Sequence, residues 1–193
     1  NMLYKGGHNL KISPIIETDR LVLRNFKEKD IDILYSYRNN KNCSKYQRWE
    51  KTSKEFLTNF IKEERLKTIS NDSLQLAIAH KKNDDLVGDI FIARKEKCIT
   101  IGYTVNFKHH RKGYAYEIIN ALISYLFDNF KGYEIVALVH PDNEPSKNLL
   151  EKLNFESEGY AEKLDSIVYC LKSFKWLHGN KRKNNDDKFK FIR

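Results

Sequence analysis

Along this chain, alternating apolar and polar positions give way to three-and-four spacing, return, and give way again. That order predicts a mixed fold. RLVLR, residues 20–24, alternates and predicts a first strand. Ile31, Ile33, Leu34 and Tyr37 predict a helix over 29–38, with Asp30 near its start, where the helix dipole favours negative charge. Residues 39–44 are polar and predict a loop. Phe56, Leu57, Phe60 and Ile61 share one face of a predicted helix over 53–67, capped by Ser53. The period then returns to two. LQLAIAHK (74–81), LVGDIFIARK (86–95) and CITIGYTVNF (98–107) predict three strands joined by short polar turns.

The second half alternates element types. Ala115, Ile118, Ile119, Leu122, Ile123, Leu126 and Phe127 form one broad apolar face, predicting a helix of about four turns. EIVALVH (134–140) is nearly continuous in apolar residues, as in a strand buried on both faces. PSKNLLEKLNF predicts a short helix entered through Asn143 and Pro145. FESEGYAEK and SIVYCLKSF predict a closing hairpin around Leu164 and Asp165. The expectation is an α+β (mixed α/β) sheet, antiparallel early and parallel where the long helix crosses from strand 98–105 to strand 134–140.

Composition narrows the class without naming it. At 193 residues and 40% hydrophobic, the chain is expected to be one domain over residues 1–178, with a loose basic polar tail from 179 to 193. Cysteines 43, 98 and 170 are odd in number and lack a CxxC pair, so neither a disulfide framework nor a metal site is expected. The opening NMLYKGG lacks the apolar segment of a secretory leader, and no run reaches 18 apolar residues. A soluble cytoplasmic protein without membrane partners is the expectation. The net charge of +9 suggests nucleic acid, but residues 174–193 carry seven Lys/Arg against two Asp. The body is therefore not basic enough to require a polyanion, and direct nucleic-acid binding is disfavoured.

Chemistry gathers where strand 98–107 meets the long helix, in HHRKGYAYEI (109–118). The first N–H groups of a helix lack intrahelical partners, and the dipole there favours anions. Gly113 permits a tight turn and close ligand approach, while Arg111 and Lys112 add charge. The stretch is neither GxGxxG nor a GKS/GKT P-loop, which disfavours a Rossmann nucleotide.

Four pieces in order resemble a GNAT-superfamily N-acetyltransferase, in the branch of the ribosomal-protein and spermidine enzymes. They are ETDRLVLRNFKEKD (17–30), LVGDIFI (86–92), IGYTV…HHRKGYAYEIINALISYLF (101–127) and HPDNEPSKNLLEKLNFESEG (140–159). The resemblance implies a central twisted mixed sheet flanked by helices, with a splayed strand pair, and acetyl-CoA as donor. The family's Gln/Arg-x-x-Gly-x-Gly/Ala, which wraps the pyrophosphate, falls on His110, Arg111, Lys112, Gly113, Tyr114 and Ala115, with His110 departing from the usual Gln or Arg. Main-chain contacts to the pantetheine arm are implied for Tyr103, Thr104 and Val105. Asn143 and Ser146 match the family's Asn-x-x-Ser/Ala. Many relatives carry a tyrosine seven residues beyond that Asn as acid for the leaving thiolate; here the position is Leu150.

An amine must be neutral to attack a thioester, and an α-amine (pKa about 7.7–8.0) needs less help than a lysine (about 10.4). Glu117 resembles a glutamate of this branch, and two uses compete for it: work at the acceptor amine, or compensation of the helix dipole. Tyr46, Arg48 and Trp49 could wall an acceptor pocket, and Asp30, Glu50, Glu55 and Glu117 could make it acidic. The expected acceptor is a primary amine on a protein, including a protein N-terminus, or on a small molecule. The rivals are an RNA- or ribosome-binding module on this fold, and an acetyltransferase for polyamines or aminoglycosides. Monomer and homodimer are both open.

Overall fold

A computed structural model describes residues 15–49, 51–180 and 190–191. Its strands are β1 (Ile16–Glu17), β2 (Leu21–Arg24), β3 (Ser73–His80), β4 (Leu86–Lys95), β5 (Cys98–Val105), β6 (Glu134–Val139), β7 (Glu156–Ala161), β8 (Ser166–Lys172) and β9 (Lys190–Phe191). They form a single sheet in the order β7-β8-β6-β5-β4-β3-β2-β1-β9. Among the described strands, only β5 and β6 pair in parallel, joined by the crossover helix α4 (Tyr114–Asn129). The other helices are α1 (Ile31–Arg38), α2 (Lys41–Ser44), α3 (Lys54–Glu64), α5 (Glu144–Lys152) and α6 (Ser173–Asn180).

The apolar stripes account for the layers. Ile118, Ile119, Leu122, Ile123 and Leu126 of α4 are buried in one cluster with Leu23, Ile90, Ile101 and Ile135 of the sheet. Leu150, Leu153 and Phe155 join the same cluster. A smaller cluster, with Leu34, Tyr37, Leu57 and Ile61, secures α1 and α3. Ser53 caps α3 through the Phe56 N–H, and Asn143 caps α5 through the Ser146 N–H.

The sequence expectation differs from the structure in four places. Residues 16–17 form a strand between β2 and β9 that is too short to show a period. The polar stretch 39–44 contains the four-residue α2, capped by the Asn40 side chain. Asp30 stands at the start of α1 as expected, but its carboxylate is buried and receives the Arg24 guanidinium at 2.7 and 3.0 Å. In the stretch expected to trail as a loose tail, α6 runs to Asn180, and Lys190–Phe191 pair with β1 in the register Ile16↔Phe191. Its remaining residues lie outside the described ones.

Asp84, in the β3–β4 turn, gathers three cations: Arg24 Nε at 2.6 Å, Lys27 Nζ at 2.6 Å and Lys29 Nζ at 2.8 Å. Burial alone would raise its pKa, but hydrogen bonds from Lys27, Lys29 and Arg24 outweigh that and hold the carboxyl well below its usual range. Because the folded pKa is depressed, this stabilisation is present above the unfolded value of about 3.9 and is lost as pH falls toward the folded value. Asp84→Asn should cost about 1–2 kcal/mol at pH 7, a partly exposed site being screened by water. The wild-type melting temperature should also fall more steeply below about pH 4 than the variant's. Parallel melting curves for the two proteins across that range would contradict this account.

Candidate active site

The parallel pairing of β5 with β6 stops early. It runs from Cys98↔Glu134 to Ile101↔Ala137, although β5 continues to Val105 and β6 to Val139. Beyond Ile101, the β5 main chain has no strand partner on its β6 side, while its pairing with β4 continues to Gly88↔Val105. The two strands thus open a gap between Gly102–Val105 and Leu138–Val139.

Gly88 keeps β4 close to β5 beside this gap. A Cβ at that position would lie 2.1 Å from the Thr104 carbonyl oxygen, 3.0 Å from Val105 Cα and 3.1 Å from the Thr104 carbonyl carbon. Only a residue without a side chain allows that approach. A glycine inside a strand signals either a bulge or a close backbone approach, so LVGDIFI held the clue without showing what was near.

One end of the gap is the turn into α4. Arg111 (φ 61°) and Gly113 (φ 77°) adopt left-handed backbone, and α4 begins with no side-chain cap on its N–H groups. Successive N–H groups in such a turn, ahead of an uncapped 16-residue helix, make an anion-binding concavity. Arg111 and Lys112 are exposed beside it. His110 is turned the other way, and its Nε2–H donates to the Val105 carbonyl at 2.8 Å. His109 packs edge-on to His80 and near Tyr114, with ring centroids 5.2 and 6.1 Å away. Burial depresses the His109 pKa, helped by His80, Lys112 and Lys108, so its ring is neutral at pH 7.

Glu117 is fully engaged. Its Oε1 accepts from the Thr18 hydroxyl at 2.6 Å and from the Arg20 N–H at 3.0 Å, and its Oε2 from Arg20 Nε at 2.6 Å. Arg20 Nη1 donates to the Lys112 carbonyl at 2.9 Å, and its guanidinium lies 4.7 Å from the centre of the Tyr114 ring. The β1–β2 turn is therefore fastened to the α4 entry through one carboxylate. Thr18 and Arg20 carry no motif by themselves, and only the fold shows their part.

Across the gap, the Tyr103 hydroxyl is 2.6 Å from Ser146 Oγ in the first turn of α5. Burial pushes the Tyr103 phenol up to about 12, against a lowering contribution from Ser146. Asn143, Ser146 and Tyr103 thus meet on one side of the gap, and residues 110–115 stand at its end. Leu150 is fully buried in the core and forms apolar wall.

A strap crosses the open ends of the strands. Cys43 Sγ is 3.6 Å from the Val105 carbonyl. The Tyr46 ring lies 5.2 Å from the His140 ring, just past β6. Arg48 Nη2 donates to the Leu164 carbonyl at 2.7 Å and to Ser166 Oγ at 2.9 Å, at the start of β8. Trp49 faces inward instead; its Nε1–H donates to the Arg38 carbonyl and its ring lies 5.0 Å from the Arg38 guanidinium. Of the carboxylates considered for this side, Asp30 and Glu117 are held elsewhere, Glu55 sits in the first turn of α3, and Glu50 lies outside the described residues.

Comparison with known proteins agrees with this architecture. The family described as "Acetyltransferase (GNAT) domain" matches residues 20–156. The chain belongs to the GNAT acetyltransferase family. This GNAT protein is 31% identical over 150 residues to the uncharacterized N-acetyltransferase YoaA of Bacillus subtilis, covering 76% of this chain and 85% of that one. Over 87 residues it is 37% identical to the [ribosomal protein uS5]-alanine N-acetyltransferase of Escherichia coli, covering 41% of this chain and 45% of that one. In fold it resembles the microcin C7 self immunity acetyltransferase MccE, solved with acetyl-CoA and AMP, with a TM-score of 0.70 at 22% identity over 83% of this chain and 97% of that one. The chain is an N-acetyltransferase, and GNAT acetyltransferases use acetyl-CoA. Among the described residues, no helix is long and apolar enough to cross a membrane.

Proposed function

We propose that this chain transfers the acetyl group of acetyl-CoA to a protein N-terminal α-amine, by direct attack within a ternary complex. One observation carries the reading: the gap between β5 and β6 leads to the uncapped, left-handed entry of α4. A thioester on an extended arm ending in a pyrophosphate matches both parts, one with an unpaired strand edge and the other with free N–H donors.

When bound, acetyl-CoA supplies the activated acetyl group. N–H groups of residues 111–115 and the side chains of Arg111 and Lys112 would receive the pyrophosphate. Tyr103 would offer main-chain groups to the arm, and its N–H would meet negative charge developing on the carbonyl oxygen, whereas the main chain of Thr104, paired with Asp89, faces β4. The Val105 carbonyl is already taken by His110, so Val105 could contribute only its N–H. Asn143 and Ser146 would hold the opposite side. Glu117, with three donors on its carboxylate, serves as a positioning residue for the α4 entry, not as the base suggested by resemblance.

Direct attack is favoured over an acetyl-cysteine route because burial raises the pKa of all three thiols, Cys170 to about 12. An α-amine acceptor is favoured because its ordinary pKa leaves a usable neutral fraction near pH 7. The name of the Escherichia coli relative gives that acceptor class a precedent.

Gly113→Val tests the donor site. A branched side chain at φ 77° is strained, and its Cβ would come within 3.4 Å of Arg20 Nη2. Calorimetry should show acetyl-CoA affinity weakened about tenfold or more, with the fold retained. An unchanged Kd would place the pyrophosphate elsewhere.

A further inference from the structure

His140 directly follows β6, and Asp165 directly precedes β8, the strand that pairs with β6 through Val139↔Ile167. The two side chains meet at the open end of the gap, with His140 Nε2 3.5 Å from Asp165 Oδ2. The Asp142 N–H donates to His140 Nδ1 at 3.1 Å, so the proton of the neutral imidazole sits on Nε2 and faces Asp165. From β7, the Tyr160 hydroxyl donates to Asp165 Oδ1 at 2.6 Å. The strap lays Tyr46 against His140 at 33°.

Two side chains from separate segments therefore meet one carboxylate, and a third, Tyr46, backs the His140 ring. The turn itself does not require it, because at φ 43° glycine or asparagine serves as well. Its side chain is 65% exposed, so its hydrogen bonds add little to stability. The nearby cations are committed elsewhere: Lys45 lies 4.8 Å from the Tyr46 ring centre, and Arg48 is bonded to Leu164 and Ser166. His140 is not placed to act as a base, because its free lone pair already accepts from the Asp142 N–H.

We infer that Asp165, oriented by Tyr160 and by His140, whose ring lies against Tyr46, recognises a positive charge that the acceptor carries in addition to its reacting amine. The inference rests on the acetyl-transfer reading above. It concerns a second charge because the reacting nitrogen must reach the β5 edge near Tyr103. Asp165 precedes β8, on the far side of β6 from β5, and stands about two residues past the strand ends, on the order of 10 Å from that edge. That spacing suits an N-terminal amine followed by a basic residue, or the far nitrogen of a long diamine. A carboxylate flanked by aromatic rings favours either cation over an anion.

Two pairs of acceptors test this in the full chain with acetyl-CoA. One is the peptide amides Ala-Lys-Ala and Ala-Glu-Ala; the other is 1,8-diaminooctane and octylamine. Within the pair that is used, wild-type kcat/KM should favour the extra positive charge by roughly tenfold or more, mainly through KM. Asp165→Asn, which keeps the left-handed turn, should reduce that preference to under about threefold. Asp165→Lys should reverse the sign of the peptide preference. Acetyl-CoA Kd should stay at the wild-type value in both variants, and the melting temperature in Asp165→Asn; a lysine in the left-handed turn should lower the melting temperature slightly. Whether the peptides or the amines are used identifies the source of the charge. Equal use of both members by the wild type, or an undiminished preference in Asp165→Asn, overturns the inference alone. Failure to bind acetyl-CoA overturns the donor site beneath it, and binding without turnover of any of the four overturns the amine-acceptor reading.

Discussion

Gly88→Ala should remove measurable acetyl-CoA binding and lower stability by about 2–3 kcal/mol, an overpacking cost at the top of its usual range. The added methyl would meet only main-chain atoms, with the Thr104 oxygen 2.1 Å away. A crowded side chain can rotate, but a strand's carbonyl cannot move without its neighbours. β4 and β5 would therefore part at Gly88↔Val105 and Asp89↔Thr104, the residues that border the gap. Gly102→Ala is the control, since its nearest neighbour would be Phe91 Cβ at 3.8 Å, an ordinary contact. Urea melts should show Gly102→Ala near wild type and Gly88→Ala far below it. A Gly88→Ala protein with wild-type melting and affinity would mean that the close approach is unimportant.

Glu117→Ala should cost about 2–3 kcal/mol, leaving the Thr18 hydroxyl and the Arg20 guanidinium without their shared partner. The α4 entry would loosen as well, because Arg20 also holds the Lys112 carbonyl and would lose the carboxylate that aims it. Acetyl-CoA affinity should fall about tenfold, a loss acting through another residue's position. A positioning role and a catalytic one predict different pH–rate profiles. If Glu117 positions, Glu117→Gln should keep most activity and leave the profile unmoved, because an amide can still accept from Thr18 and the Arg20 N–H. If Glu117 took the amine's proton, Glu117→Gln would lose its acidic limb and at least about a hundredfold in kcat.

The broad fold was legible because its signals are long. The 16-residue α4 repeats its apolar face often enough to be unmistakable, and nearly continuous EIVALV is a strand as expected, though its burial alternates, with Ile135, Ala137 and Val139 buried and Val136 and Leu138 half-buried. The strand–turn–helix junction proposed as the donor site was legible for a related reason: its parts are contiguous, running from β5 through Gly113 into α4. What escaped the sequence depends on distant residues. Asp30 resembled a helix-start acid until Arg24 was seen beside it in the core. Asp165 was a turn residue, and His140 the last position of a predicted strand; neither suggests the other across 24 intervening positions, and Tyr46 lies further away still. β1 and α2 escaped because two- and four-residue elements are shorter than any period that could reveal them. The +9 charge was informative only in its distribution, which left the body of the domain free for a small-molecule donor.

The clasp between the β1–β2 turn and Glu117 also constrains the order of folding. Its partners are 97 and 99 positions apart, so the anion turn cannot be held in place until nearly a hundred intervening residues have condensed. Closing so long a loop is entropically slow, and its reward arrives only once the sheet has formed between the two ends. During synthesis, the amino-terminal hairpin must wait several seconds for α4 to emerge, at about 5–20 residues per second. In refolding, helical ellipticity should therefore recover before the protein can retain its coenzyme. Acetyl-CoA present from the start would not accelerate the early phase; it would bind the finished clasp and draw the population toward it by mass action.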